Sequence, residues 1–335
     1  MARSTLGRFS RAARGWNPFA VSRAIDRVDD LRQATRELTR SIDVLRTRTD
    51  QLAAIEQSDW ELQDALDALP STLDTERVRA HVTKAIDQAR LELDPFPHLL
   101  VESWLPTDVY KLMVNGLPPA IFFAEREVSR QRLSVPFRLA PRYSRRVWQM
   151  VTREIVSSIA GPLLNEKFKE PVRDYVHALC PDLPAHVDLN MRTSNGHIML
   201  RRPGYVIAPH RDPKWGFLSC LVYLVRPGDN ESYGTQLYRV KNDVEAPSFT
   251  PYYVEDSRCE LVKAVPFRAN TMLVFLNSVG AHGASIPADA QPASLERYLY
   301  QFRLGLENEA KDTFLAHMTD EGRARWKSED GDKGY

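Results

Sequence analysis

Short runs of strand-forming residues lie between residues 197 and 304, and they constrain the fold more than any other feature. Phe217–Val225 and Asn270–Asn277 are near-continuous apolar runs, which predict buried strands. His197–Arg201 and Arg297–Leu304 predict two further strands. The pair Asn195-Gly196 stands between two alternating runs and predicts a hairpin turn. This part of the chain therefore predicts a β-rich core.

Histidine and aspartate stand beside these predicted strands. His210 and Asp212 lie two apart at a strand edge, where alternate side chains share a face. His282 follows the Asn270–Asn277 run in a glycine-containing loop. Two imidazoles and one carboxylate form the ligand set of non-haem Fe(II) sites that keep positions open for chemistry. The segment His186-Val187-Asp188 has the same form, but it opens an ordinary predicted strand, and we interpret its histidine as structural.

The last predicted strand carries arginines on one face. Arg297, Leu299, Gln301 and Arg303 share that face by the period of two. An arginine on the inner face of a core strand is unfavourable unless an anion pairs with it. Because a guanidinium group matches a carboxylate in two-point geometry, the strand predicts a carboxylate-binding position.

Taken in order, these features resemble the prolyl-hydroxylase-like branch of the 2-oxoglutarate/Fe(II)-dependent oxygenases. The resemblance runs from about Pro95 to Leu306. The matching stretches are Pro95–His98, Pro209–Asp212, Ser219–Leu224, Gly234–Leu237, Asn270–Asn277, His282 and Arg297. The fold that this resemblance implies is α+β, with a double-stranded β-helix, a jelly-roll-like core, flanked by helices.

The resemblance also implies the roles of individual residues. The catalytic residues that would hold Fe(II) are His210, Asp212 and His282. Arg297 would bind the distal carboxylate of 2-oxoglutarate, and Tyr223 would assist it. Arg303 is the rival of Arg297, since their spacing also resembles the oxidative nucleic-acid demethylases, where two such arginines each take one carboxylate. The implied cofactors are Fe(II), 2-oxoglutarate as co-substrate and, as an optional addition, ascorbate.

Two positions depart from the family pattern. Tyr233-Gly234 replaces the usual Gly-Gly pair, and Arg201 replaces a tyrosine nine residues before the first ligand. Both departures argue against a prolyl substrate more than against the chemistry. Asp212 favours a hydroxylase over a halogenase, which leaves that position open for chloride. The implied reaction hydroxylates a small molecule, a sugar-linked metabolite or a peptide side chain, and releases succinate and CO2.

Two other function classes stay open. One is a metal-dependent enzyme on a similar barrel that needs no 2-oxoglutarate, as in cupins, although Arg297 speaks against it. The other is a non-catalytic barrel that binds a partner on a coiled-coil stalk, although the intact triad speaks against it. The long segment from Val240 to Leu261 is a candidate cover for the active site, because long loops in compact domains are often functional. Trp215 either lines the substrate entrance or packs in the core.

Composition excludes several classes of protein. The 335 residues are 43% hydrophobic and 27% charged, which is ordinary for a globular protein. A net charge of +1 gives no electrostatic reason to expect nucleic acid as a partner. The cysteines Cys180, Cys220 and Cys259 are far apart and odd in number, which suits a reducing compartment, and we expect a cytoplasmic protein. No apolar stretch reaches the roughly 18 to 20 residues of a transmembrane segment.

The N-terminal part differs from the rest. Residues 1–20 are basic and lack acids, as in an organelle transit peptide, an arm that touches an anionic membrane, or a solvated tail. From Val21 to about Ile55 a heptad pattern places leucine at most d positions. The pattern predicts either self-association through residues 21–55 or a helix packed on its own domain. We therefore expect a basic tail (1–20), a helical region (21–94), an oxygenase domain (95–310) and a charged tail (311–335).

Overall fold

The structure, a computed structural model, describes residues 18–320 apart from short gaps. These gaps are 73, 124–128, 136, 185–186, 188, 195, 213–216, 227, 230, 242–252 and 278. His186, Trp215 and half of the segment expected to cover the site lie outside the described residues, as do most of the basic tail and most of the charged tail. The chain divides into two compact units, Met1–Ala54 and Ile55–Tyr335.

One long helix, α1 (Pro18–Glu61), contains the predicted heptads. The apolar heptad residues whose side chains are described lie exposed to solvent. They are Val28, Leu31, Leu38, Ile42, Leu45 and Leu52. Self-association through this helix stays a prediction. No helix in the described part of the chain is long and apolar enough to cross a membrane.

Shorter helices follow in the second unit. They are α2 (Gln63–Thr72), α3 (Thr75–Gln88), α4 (Thr107–Asn115), α5 (Arg142–Met150), a π-helical segment (Val151–Ala160), α6 (Gly161–Lys167), α7 (Lys169–Leu179) and α8 (Asn308–His317). Asp74 caps α3 by accepting hydrogen bonds from the backbone N–H groups of Glu76 and Arg77, as its position before the helix predicts. Gly161 keeps helical dihedral angles despite the Gly161-Pro162 pair, so α6 continues directly from the π-helical segment.

Twelve strands of the described residues form two antiparallel sheets. They are β1 (Leu91–Glu92), β2 (His98–Glu102), β3 (Arg130–Ser134), β4 (Met191–Thr193), β5 (His197–Arg201), β6 (Val206–His210), β7 (Leu218–Leu224), β8 (Thr235–Val240), β9 (Cys259–Val265), β10 (Thr271–Leu276), β11 (Ala281–Ser285) and β12 (Arg297–Leu306). The major sheet has the order β1-β2-β10-β7-β12-β5-β3, with β4 also paired to β12. The minor sheet has the order β6-β11-β8-β9. The expected strands β5, β7, β10 and β12 are confirmed, and this mixed helical and antiparallel architecture is consistent with the expected jelly-roll-like core.

The two faces of the major sheet bury different side chains. Tyr298, Tyr300 and Phe302 of β12 belong to the large core that also contains the helices. Leu299 of the same strand belongs to a second cluster with Leu237 of the minor sheet. Because successive side chains of a strand point to opposite faces, Leu299 marks the inner face, which looks toward the minor sheet. The odd-numbered positions of β12 share that face.

The hairpin predicted at Asn195-Gly196 is wrong. Strand β4 pairs Thr193 with Leu304, and β5 pairs His197 with Gln301, so both strands follow β12 along the same side. The chain therefore continues in one direction instead of turning back. Gly196 is required there because a Cβ at this position would lie 2.2 Å from the Tyr300 ring. Close approach to an aromatic ring explains this glycine better than turn geometry does.

Candidate metal centre and co-substrate site

The two histidines predicted as ligands face each other across the minor sheet. His210 ends β6, and His282 is the second residue of β11, so it lies in a strand and not in the loop that the sequence predicts. The two residues are direct partners in the β6–β11 register. Side chains of directly paired residues lie on the same face, and the two ring centroids are 4.2 Å apart. Strand pairing therefore brings together ligands that are 72 positions apart in the sequence.

Asp212 follows β6 and completes the cluster. Its Oδ1 lies 3.9 Å from Nε2 of His210, and its Oδ2 lies 3.9 Å from Nε2 of His282. Asn277 holds both backbone polar groups of Asp212. Its Oδ1 accepts a hydrogen bond from the Asp212 N–H at 2.6 Å, and its Nδ2 donates one to the Asp212 carbonyl oxygen at 2.8 Å. Asn277 follows β10, so the major sheet sets the position of a ligand that the minor sheet carries.

Three further side chains contact the Asp212 carboxylate. Ser219 Oγ donates to Oδ2 at 2.6 Å, and Gln301 Nε2 donates to the same oxygen at 2.9 Å. Arg303 Nη2 lies 3.1 Å from Oδ1. Because Gln301 and Arg303 reach the carboxylate from β12, the inner face predicted for that strand is confirmed at these two positions. Such outer contacts orient a ligating carboxylate and tune its basicity.

Burial and neighbouring charge set the protonation of the three side chains. Burial, with a smaller contribution from the charge of His210, lowers the pKa of His282 to about 3. Burial also lowers the pKa of His210. Burial alone would raise the pKa of Asp212, but Arg303 and the two histidines hold it well below its usual range. At neutral pH the cluster therefore presents two neutral imidazoles and one carboxylate, the protonation states that a metal ion requires.

The geometry fits one metal ion. Two atoms that each lie about 2.1 Å from the same divalent ion are at most about 4.2 Å apart. Each histidine Nε2 lies 3.9 Å from one oxygen of Asp212, and with one atom from each residue the three ligand atoms lie within 4.8 Å of one another, so a small inward shift brings all three to one ion. Nδ1 of His210 lies 2.9 Å from the carbonyl oxygen of Ala208, so a proton on Nδ1 leaves Nε2 as the ligand atom. The donor set and its protonation fit Fe(II).

Arg297 lies at the start of β12, on the inner face, with only 1% of its surface exposed. Its guanidinium carbon lies 4.7 Å from the Phe267 ring centroid and 6.0 Å from that of Tyr233. Nη2 donates to the carbonyl oxygen of Ser232 at 3.3 Å, and Nη1 lies 3.4 Å from Oδ1 of Asp229. Two aromatic rings and these contacts hold a buried cation in a fixed orientation, which suits recognition of a carboxylate.

Arg303 and Tyr223 occupy different surroundings. Arg303 contacts the Asp212 carboxylate, and its Nε is buried without a hydrogen-bond partner among the described residues. Tyr223 is buried on the inner face of β7, where its hydroxyl donates to Oγ1 of Thr235 at 2.8 Å. Burial raises the pKa of Tyr223 to about 12, so the phenol stays protonated. Its ring lies 5.0 Å from the Phe267 ring, which also contacts Arg297.

Sequence reasoning missed several residues of this cluster. Asn277 and Ser219 contact Asp212, and their signal in the sequence is a polar residue within or directly after an apolar strand. Gln301 was expected on the inner face of β12, but its contact with Asp212 was not. Tyr253 belongs to the expected covering segment, but its contact with His210 was not predicted. It forms an isolated bridge with His210, and the two ring centroids are 5.9 Å apart. Tyr253 lies within the segment expected to cover the site, and this part of that segment does reach the metal ligands.

Comparisons with known proteins give remote similarities. No protein-family model matches the chain, and no curated protein sequence matches it. A prolyl-4-hydroxylase from Pseudomonas putida is similar in structure, with 12% identity over 68% of this chain and 100% of that chain and a TM-score of 0.36. It belongs to the type of enzyme that the sequence resembles.

Two structures from Streptomyces are similar to the same extent. HygX from Streptomyces hygroscopicus, with nickel and 2-oxoglutarate bound, has 14% identity over 63% of this chain and 83% of that chain and a TM-score of 0.38. AviO1 from Streptomyces viridochromogenes Tue57 has 14% identity over 69% of this chain and 96% of that chain and a TM-score of 0.40. Identities and TM-scores this low leave the reaction to be argued from the site itself.

Proposed function

We propose that this chain is an Fe(II)- and 2-oxoglutarate-dependent dioxygenase. It would hydroxylate a small molecule, a sugar-linked metabolite or a peptide side chain. The observation that carries the proposal is the buried cluster of His210, Asp212 and His282, whose ligand atoms lie within 4.8 Å of one another. Two imidazoles and one carboxylate leave coordination positions open, whereas a purely structural metal site closes them with protein ligands.

The arginines of β12 support the 2-oxoglutarate part of the proposal. The co-substrate is a dicarboxylate, and Arg297 is a buried guanidinium on the same inner face as Gln301, which contacts Asp212. We assign Arg297 as the residue that holds the distal carboxylate, with the protonated Tyr223 hydroxyl in the same inner cluster. Arg303 is assigned to positioning Asp212, because its Nη2 lies 3.1 Å from that carboxylate.

The chain supplies orientation and exclusion of water. Fe(II) with 2-oxoglutarate and dioxygen supplies the oxidation of a C–H bond, with release of succinate and CO2. Ser219 and Gln301 both donate hydrogen bonds to Oδ2 of Asp212, and these two bonds fix the orientation of the carboxylate. Phe275, 4.5 Å from the His282 ring, and the buried inner cluster exclude water from behind the ligands. The low pKa of His282 keeps its ring available as a neutral ligand.

Loss of a ligand tests the metal centre. We expect Asp212→Ala and His210→Ala to abolish substrate-dependent succinate formation, because each removes one of three metal ligands. Binding of Ni(II) by calorimetry gives a readout that does not need the substrate. His81→Ala is the matched control, since His81 is a half-buried histidine of α3 outside the cluster, where Nε2 lies 2.8 Å from the carbonyl oxygen of Ser103. Wild-type metal affinity or succinate yield in either ligand variant would contradict the proposal.

A second pair of variants separates the two arginines. Arg297→Gln should raise the Kd for 2-oxoglutarate by tenfold or more while leaving the affinity for Ni(II) unchanged, because it removes a charge-assisted contact worth about 1.5–3 kcal/mol. Arg303→Gln should weaken Ni(II) binding instead, because Asp212 loses a partner. Calorimetric titration of both ligands onto both variants checks the assignment. The opposite pattern would make Arg303 the anchor. If wild-type protein loaded with Ni(II) does not bind 2-oxoglutarate, the result would favour the alternative function, a metal-dependent enzyme that needs no 2-oxoglutarate.

A further inference from the structure

Three arginines form a row across neighbouring strands of the major sheet. Arg130 of β3 pairs directly with Arg201 of β5, and Arg201 pairs directly with Arg297 of β12. Directly paired residues of antiparallel strands share a face, with Cβ atoms about 4.5–5.5 Å apart. Arg297 lies four residues before Gln301 on β12, so it shares the inner face with Gln301. Arg201 and Arg130, which pair in turn across the sheet, lie on that face too. We call these three residues the arginine row.

The arginine row is unfavourable on its own. Like charges that lie directly opposite each other destabilise a sheet, and a partly buried cation loses hydration as well. Arg130 and Arg201 are both partly buried. Asp229 lies at the Arg297 end of the row, 3.4 Å from Nη1 of that residue. An oxyanion bound at the other end would place a negative charge beside both Arg130 and Arg201.

The guanidinium groups of Arg130 and Arg201 both lie near one buried ring, that of Tyr205. The guanidinium carbon of Arg201 lies 4.5 Å from the Tyr205 ring centroid, and that of Arg130 lies 5.9 Å from it. Tyr205 is buried in a cluster with residues of the minor sheet, including Ile207 and Ala284. Because a cation over a ring face is attracted to it, Tyr205 holds both guanidinium groups within 6 Å of one ring. Two planar guanidinium groups on directly paired residues of one sheet face, beside one ring, suit the oxygens of a phosphate or a carboxylate.

The same charges lie close to the metal ligands. Burial lowers the pKa of His210, and the positive charges of Arg201 and Arg130 lower it further. The charge of Arg201 also lowers the pKa of His282 and that of Tyr223, although burial has the larger effect on each of them. Strand β3 is the edge strand of the major sheet. The Arg130 end of the row is therefore at a sheet edge, while its charge still acts on the metal ligands.

We infer that Arg130 and Arg201 bind an oxyanion group, a phosphate or a carboxylate, on the substrate that is oxidised. This inference rests on the proposed function, in which Arg297 holds the co-substrate and leaves the rest of the row for the second substrate. It narrows the substrate class to anionic molecules. It also gives a role to Arg201, the position at which the chain departs from the family pattern.

Sulfate is the probe that tests the inference on the full chain. The protein is loaded with Ni(II) and saturated with 2-oxoglutarate, and sulfate is titrated by calorimetry. We expect sulfate to bind, and Arg130→Gln or Arg201→Gln to weaken it by tenfold or more, with Arg130→Lys keeping part of the affinity. Arg79→Gln is the matched control, because it removes the same charge from an exposed position on α3. Circular dichroism of each variant verifies that it is folded.

Each outcome decides one of the two assignments. Equal sulfate affinity in Arg130→Gln and Arg79→Gln would overturn the inference. Sulfate that competes with 2-oxoglutarate and does not bind once the co-substrate is saturating would also overturn it, and would assign the arginine row to the co-substrate instead. If 2-oxoglutarate fails to bind while sulfate still binds through Arg130, the proposed co-substrate is wrong and the oxyanion site stands.

Discussion

Tyr233 occupies a backbone conformation that favours glycine, with a φ of 63°. It stands where the family that the sequence resembles has the first glycine of a pair, and its ring lies 6.0 Å from the Arg297 guanidinium carbon. The second glycine is required, because a Cβ on Gly234 would lie 1.9 Å from the carbonyl oxygen of Val265. Left-handed conformations of residues other than glycine cost about 1–3 kcal/mol and cluster at functional sites. The strain at Tyr233 is therefore located beside the proposed co-substrate anchor.

Tyr233→Gly should separate stability from binding. We expect the free energy of unfolding to rise by about 1 kcal/mol, because glycine adopts this conformation without a steric cost. The Kd for 2-oxoglutarate should also rise, since one of the rings that orient Arg297 is lost. Chemical denaturation and calorimetry measure the two effects. A variant that is stabilised and keeps wild-type affinity would show that the ring does not orient Arg297.

Ser219 is a second residue whose effect can be isolated. Its hydroxyl donates to Oδ2 of Asp212 at 2.6 Å and is fully buried. Loss of such an outer contact typically costs 10–100-fold in metal affinity. We expect Ser219→Ala to lower the affinity for Ni(II) within about this range, and the matched Ser158→Ala, on an exposed serine of the π-helical segment, to leave it unchanged. Equal affinities in the two variants would remove Ser219 from the support of the metal ligand.

Strand pairing explains which parts of the site the sequence could predict. The period of two placed Gln301 and Arg303 on one face, and both contact Asp212. The direct pairing of His210 with His282 joins β6 to β11, which are distant in sequence, and no local pattern contains that register. The hairpin at Asn195-Gly196 failed for a related reason. A local turn signal was outweighed by pairing with β12 and by contact with the Tyr300 ring.

Helix α1 carries the remaining prediction about an element. Leu31, Leu38 and Leu45 occupy d positions and expose more than 60% of their surface, so burial against a second copy would remove apolar area from water. We propose that two chains associate through this stripe. Leu38→Asp should shift the full chain toward monomer in sedimentation over a concentration series, whereas Gln33→Asp, at an outward f position, should not. A wild-type chain that is monomeric at high concentration would contradict this association.

At the scale of the whole molecule, the metal ligands link stability to pH. His282 is buried, with a pKa lowered to about 3, whereas an unfolded chain has histidines that titrate near about 6.5. Below that pH the unfolded chain binds a proton that the folded chain does not bind. The free energy of unfolding must therefore fall as pH falls from about 6.5 toward 3, with a slope that approaches about 1.4 kcal/mol per pH unit for this one group.

Chelator-treated protein tests this linkage between pH 6.5 and pH 5.0. Wild type should lose about 1.7 kcal/mol more of its free energy of unfolding across this range than His282→Gln, in which the titrating ring is absent. Saturating Ni(II) should stabilise wild type at each pH, because the ion binds the folded site, and should have little effect on the variant. Denaturant unfolding at both pH values measures the difference. Equal pH dependence in the two proteins would mean that His282 exchanges protons while folded, and that the ring is not held as a neutral ligand by burial.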